Sequence, residues 1–112
     1  MEKVNSDNSK TQMLKGILDY CILLIIKEKP VYVADIIQIL KEAKLIVVEG
    51  TIYPLLMRLK NMKLLSYQWI ESKQGPPRKY YRITESGSEY LTELQATWDE
   101  IEQTINHLKS IY

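Results

Sequence analysis

Leu91, Leu94, Trp98, Ile101, Ile105, Leu108 and Tyr112 follow one another at alternating steps of three and four residues. That spacing defines the seam of a helix that packs lengthwise against another helix. The stripe is narrow and its surroundings are mainly polar. A helix carrying it is about 40 Å long at ~1.5 Å per residue. A chain of 112 residues forms one small domain, and such a domain does not need a helix of that length to close its own core. With one seam per chain, the simplest partner is a second copy. Leu91, Leu94, Trp98, Ile101, Ile105 and Leu108 are therefore the expected dimer interface.

The rest of the chain supplies a head for this stalk. Residues 12–29 place apolar side chains at 13, 14, 17, 18, 21, 24 and 25, a helical period that Pro30 ends. Residues 32–44 give a second helix, with Val33, Ile36, Ile37 and Leu40 facing inward. Ile46, Val47 and Val48 form a short β-branched run suited to a strand. Ile52, Leu55, Leu56 and Leu59 define a third helix, and Pro54 has to lie near its start. Residues 65–71 and 79–84 alternate as strands. Gly75, Pro76 and Pro77 between them suggest a hairpin with a loop longer than two residues. Thr84 reads as the N-cap of the last helix, with Glu85 in its first turn. The expected division is a disordered tail over 1–10, a domain over 11–84 and the long helix over 85–112. The fold class is mostly α with a small β-hairpin.

Composition excludes several functions. The longest apolar run, Tyr20 to Ile26, is too short to cross a bilayer. The first residues lack the apolar core of a secretory leader, and the lone Cys21 fits a reducing compartment, so a cytoplasmic protein with no membrane contact is expected. No paired His and Cys, phosphate-binding glycine loop or nucleophile motif points to an enzyme, a cofactor or a metal. His107 stands without a second ligand at metal spacing. Cys21 lies in an apolar run and is expected in the core.

Net charge is only +1, but the charge is segregated. From Arg58 to Arg82 seven bases (Arg58, Lys60, Lys63, Lys73, Arg78, Lys79 and Arg82) face one acid, Glu71. From Glu85 onward six acids (Glu85, Glu89, Glu93, Asp99, Glu100 and Glu102) face one base, Lys109. A basic patch in a chain ordered helix, helix, short strand, helix, hairpin describes a winged helix-turn-helix that binds double-stranded DNA. Its third helix would enter the major groove. Thr51 and Tyr53 sit near the N-terminus of that helix, where free N–H groups favour phosphate, and Pro54 is grouped with them. Arg58 either reads a guanine edge or pairs with a nearby acid; Tyr53 either meets DNA or packs on the second helix. Lys60 and Lys63 reach backbone. Arg78 and Lys79 present charge from a proline-stiffened tip. Of Tyr80 and Tyr81, which alternate in facing, one is expected in the core.

Two stretches, "EGTIYPLLMRLKNMKLLSY" and "GPPRKYYRITESG", together resemble the signature of the PadR family of bacterial transcriptional regulators, and residues 11–112 follow its pattern. The single C-terminal helix is similar to the small subfamily. The resemblance implies a homodimer, usually a repressor on an inverted-repeat operator, with the last helices crossing between subunits. Small multidrug-sensing members look similar around Trp98. This implies a pocket for a small aromatic or cationic ligand near Trp98, Met13, Gly16, Asp19 and Glu102. Trp98 is otherwise a bulky residue of the dimer core. The competing function is a winged-helix protein-interaction module without DNA.

Overall fold

The computed structural model describes residues 6–45 and 49–112. Among the described residues the elements follow one another as α1 (Ser6–Leu14), α2 (Leu18–Ile26), β1 (Val31–Tyr32), α3 (Val33–Glu42), α4 (Glu49–Asn61), β2 (Leu65–Ser72), β3 (Gly75–Ile83) and α5 (Glu85–Ile111). The strands form one antiparallel sheet in the order β1-β3-β2. The winged helix and its long terminal helix are therefore both present. The run Ile46 to Val48, expected as a strand, lies outside the described residues. The third strand among the described residues is Val31–Tyr32, paired with Tyr81 and Tyr80.

Three helices and the sheet close around one core. Ile22, Leu23, Ile36, Ile52, Leu56 and Leu59 are completely buried, and Leu65 and Tyr81 bring the sheet against them. The tyrosine expected inside is thus Tyr81, while Tyr80 is half-buried with its ring 5.8 Å from that of Tyr32. α3 and α4 end alike. Leu45 N–H donates to the Leu40 carbonyl and Leu64 N–H to the Leu59 carbonyl, at 2.9 and 3.0 Å. Lys44 and Lys63 take left-handed backbone conformations, both with φ 63°. These are Schellman ends, each bringing two leucines together across the last turn. A lysine there adds positive charge at the negative end of the helix dipole.

Several expectations are corrected. The helix expected over 12–29 is two helices, because the chain turns at Lys15–Ile17, around Gly16, a residue costly inside a helix. The turn resets the helical phase, and α2 buries Leu18, Ile22, Leu23 and Ile26. Residues 6–10, expected as disordered tail, belong to α1. That helix is polar and shows no apolar period to read. Lys10 Nζ donates to the Lys44 carbonyl, tying α1 to the end of α3.

The hairpin also differs from expectation. Its turn is the two residues Lys73 and Gln74, with Ser72 paired to Gly75. Gln74 N–H lies 3.4 Å from Ser72 Oγ. Pro76 and Pro77 lie inside β3, opposite the single residue Glu71, where the register shifts. A bulge tolerates prolines because their missing N–H groups are not needed in the ladder. β1 pairs only with Tyr80 and Tyr81, so among the described residues no strand lies on the other side of the prolines.

Thr84 caps α5 as expected. Gly87 N–H donates to Thr84 Oγ1 at 3.0 Å, and that hydroxyl donates to the Lys63 carbonyl at 2.7 Å. Thr84 N–H donates to the Leu64 carbonyl at 3.1 Å. A Cβ on Gly87 would stand 2.1 Å from the Leu64 oxygen and 2.7 Å from Ile83 Cγ1. Leu91 is buried in the domain's own core, which removes it from the expected dimer seam. Leu94 is half-buried against the same core. From Gln95 onward every residue of α5 is exposed, and the molecule is elongated, 57 × 34 × 22 Å.

Gly87→Ala is expected to lower stability by about 3 kcal/mol, the upper end for an overpacked site, since backbone has to move to admit the methyl. Thr84→Val is expected to cost about 1–2 kcal/mol, the loss of a cap and of the Lys63 carbonyl's partner. Urea unfolding at fixed protein concentration measures both. A Gly87→Ala midpoint equal to wild type contradicts the close approach.

Candidate nucleic-acid interface

α4 buries Ile52, Leu56 and Leu59. At 3.6 residues per turn the opposite face carries Gly50, Pro54, Met57 and Asn61, and all four are exposed. Tyr53 and Lys60 flank this face on one side, Thr51 and Arg58 on the other. Tyr53 is exposed. Met57 and Asn61 escaped the sequence reading, although the spacing of the buried residues already marks the face they share. Pro54 lies inside the helix, in its second turn, and has no N–H to give the Gly50 carbonyl.

The wing beside α4 is two-sided. The register sets Trp69 opposite Lys79, Tyr67 opposite Tyr81 and Leu65 opposite Ile83. These pairs share the face that continues into the core. Ile70 opposite Arg78, Gln68 opposite Tyr80 and Ser66 opposite Arg82 share the other face. Arg78 and Lys79, expected to act together at a tip, therefore point to opposite sides. Each lies against aromatic rings. Lys79 Nζ is 4.0 Å from the Tyr67 centroid and 5.2 Å from that of Tyr81, and the Arg78 guanidinium is 5.0 Å from the Tyr32 ring. Lys60 Nζ of α4 stands 5.5 Å from the same Tyr67 ring. One tyrosine thus holds a cation from the helix and a cation from the wing. Trp69, next to Lys79 and 64% exposed, is an aromatic surface that charge counting does not reveal.

Arg58 is committed elsewhere. Its Nη2 contacts Asp19 Oδ2 of α2 at 2.5 Å, with the arginine side chain 52% and the aspartate 23% exposed. Of the two readings of Arg58 the structure holds the ion pair. Lys63 is exposed, and its carbonyl faces Thr84.

The residues expected around a ligand are only partly together. Gly16 and Trp98 line one hollow of about 70 Å³ with Tyr20 and Ile101. The Tyr20 and Trp98 rings are 6.4 Å apart. Met13 is largely exposed on α1, Glu102 is exposed on α5, and the charge of Asp19 is already balanced by Arg58. Cys21 is half-buried, and burial pushes its thiol up from the ordinary range, away from the reactive thiolate. Among the described residues no three metal-ligating side chains come together, and no helix is long and apolar enough to cross a membrane.

Comparison with known proteins bears on the same segment. The model of the transcriptional regulator PadR-like family matches residues 22–93, from α2 into α5. An uncharacterised protein of Lysinibacillus sphaericus is 32% identical over 100 residues, covering 87% of this chain and 92% of the relative. Among solved structures, a PadR-like transcription factor of Bacteroides fragilis is 61% identical with a TM-score of 0.75, over 90% of this chain and 98% of that one. A PadR-like transcriptional regulator of Bacillus cereus is 43% identical with a TM-score of 0.77, over 87% and 95%. A Streptococcus transcriptional regulator is 35% identical with a TM-score of 0.80, over 88% and 97%. A family match over most of the chain, carried by the helices and wing described above, means that this protein belongs to the PadR-like family of transcriptional regulators.

Proposed function

We propose that this DNA-binding regulator acts as a homodimeric repressor on an inverted-repeat operator. The observation that carries the reading is the basic and aromatic surface shared by α4 and the wing, where Lys60 and Lys79 meet on Tyr67. In this reading Gly50, Pro54, Met57 and Asn61 face the major groove. Thr51, Tyr53 and Lys60 reach the phosphates beside it. Lys79 follows the adjoining backbone and Arg78 the far side of the wing. Cations already held on aromatic rings lose little conformational freedom when they meet phosphate.

The exposed stripe Trp98, Ile101, Ile105 and Leu108 supports pairing with a second copy, since an unaccompanied apolar stripe on a projecting helix is costly in water. The two α4 helices of such a dimer fit half-sites about one DNA turn, ~34–36 Å, apart. Relief by a flat aromatic or cationic ligand is the third part of the reading. The hollow beside Trp98 is far below the ~300 Å³ of a drug-sized site, so the partner's Trp98 would have to complete it.

Three measurements test these parts. Binding to the gene's own upstream region, followed across salt, is expected to lose roughly one unit of log–log slope in Lys79→Ala for the lost phosphate contact. An unchanged slope removes Lys79 from the interface. Ile101→Glu/Ile105→Glu is expected to sediment as a folded monomer that retains only half-site affinity; a persisting dimer overturns the seam. A wild-type monomer that retains no DNA favours the protein-interaction module instead. Titration with a planar cationic dye is expected to quench tryptophan emission in wild type and much less in Trp98→Phe, with Trp69 as the remaining emitter. Equal quenching in both excludes Trp98 from the ligand site.

A further inference from the structure

The Arg58–Asp19 pair joins the helix read above as DNA-facing to a helix that has no part in that face. Arg58 lies on the α2 flank of α4, next to the outer row of Pro54, Met57 and Asn61. Its guanidinium is turned back onto Asp19 Oδ2, yet the side chain remains half exposed. The two helices already share a closed core through Ile22, Leu23, Ile52 and Leu56. An ion pair this exposed adds little to their packing and shifts an equilibrium by at most about five-fold. What it does fix is where the charge of Arg58 sits.

We propose that Asp19 is a positioning residue for DNA recognition: its carboxylate holds Arg58 back from the DNA-facing side of α4, and docking requires Arg58 to exchange that carboxylate for a phosphate. This rests on the reading of α4 as the DNA-facing helix. The exchange is close to neutral in charge. Arg58 releases a counterion from DNA, while Asp19, left alone, attracts one. In the wild type Arg58 therefore adds almost nothing to the salt dependence of binding, although it is a cation at the interface. Remove the carboxylate, and the same arginine becomes an ordinary phosphate contact. The pair also stands where α2 meets the stalk, since the residue after Asp19 is Tyr20, whose ring packs on Trp98.

The test is a two-residue cycle with Asp19→Asn, Arg58→Ala and the double variant, titrated with the upstream DNA fragment over a range of salt. Asp19→Asn is expected to bind up to about five-fold more tightly at low salt, with a log–log slope steeper by about 0.9. Arg58→Ala is expected to leave the wild-type slope nearly unchanged, but to abolish the extra slope in the Asp19→Asn background. Asp19→Glu, which keeps the charge, is expected to restore wild-type slope. A merely structural pair would change melting temperature and leave the slopes parallel. If Asp19→Asn binds with wild-type slope, or more weakly at unchanged melting temperature, the proposal is overturned. If Asp19→Asn melts early, the Arg58→Ala slope decides alone: a drop of about 0.9 in the wild-type background means Arg58 was already free to meet phosphate, and the proposal fails. A wild-type protein that does not bind DNA at all fails the reading of α4 instead. Wild-type binding that depends on Lys79 but not on Asp19 fails only this inference.

Discussion

The joint at Thr84 is the contact on which the arrangement of the other parts depends. Three elements with different tasks end or begin there: α4, the hairpin and α5. The Thr84 hydroxyl accepts from Gly87 N–H and donates to the Lys63 carbonyl, and its own N–H donates to Leu64. Lys63 can offer that carbonyl because its left-handed backbone ends α4 in a Schellman turn. Gly87 lets the first turn of α5 come so close to Leu64 that no side chain fits between them. Hydrogen bonds of this kind are each worth about 1 kcal/mol, but here they act on one small volume. The end of one helix, the first residue after the wing and the start of the stalk cannot shift independently.

That rigidity gives the surface charges their meaning. The wing is a ribbon whose two faces differ by one residue in sequence, so Arg78 and Lys79 are neighbours in the chain and opposites in space. Both are held against tyrosines, Lys79 by Tyr67 and Tyr81, Arg78 by Tyr32. Tyr67 also meets Lys60, so the wing and α4 are joined by a ring as well as by the backbone. Three cations of the basic segment, Lys60, Arg78 and Lys79, are therefore placed on aromatic supports. Net charge, at +1, conceals them entirely.

Much of this was legible in the sequence, and the parts that were not have physical reasons. The stalk helix and its Thr84 cap were readable because both signals are local: a seven-residue period and a hydroxyl just before an acidic first turn. The same period could not say which side chains meet which partner. Leu91 belongs to the stripe and yet fills the domain's own core, because the stripe runs without a break from the core into solvent. Gly75-Pro76-Pro77 looked like a turn because glycine and proline usually make one. Here a bulge and a missing neighbour strand let them sit in β3, and neither is a property of those three residues. β1, two residues long, is shorter than any period. α1 has no apolar stripe. The pairing of Arg58 with Asp19 spans 39 positions, and either residue alone reads as a surface charge.

Taken together, the joint and the ion pair give α4 two attachments of unequal stiffness. At its C-terminal end it is locked to the stalk through Lys63, Leu64 and Thr84, with a glycine contact that admits no slack. Along its flank an exposed ion pair with α2 supplements the core that the two helices share. α2 in turn leans on the stalk through Tyr20 and Trp98. In the proposed reading the joint moves α4 as a whole with the stalk, whereas the ion pair sets only where Arg58 points. In the proposed dimer the first of these would set the spacing of the two half-sites. The second would set the charge presented within one half-site.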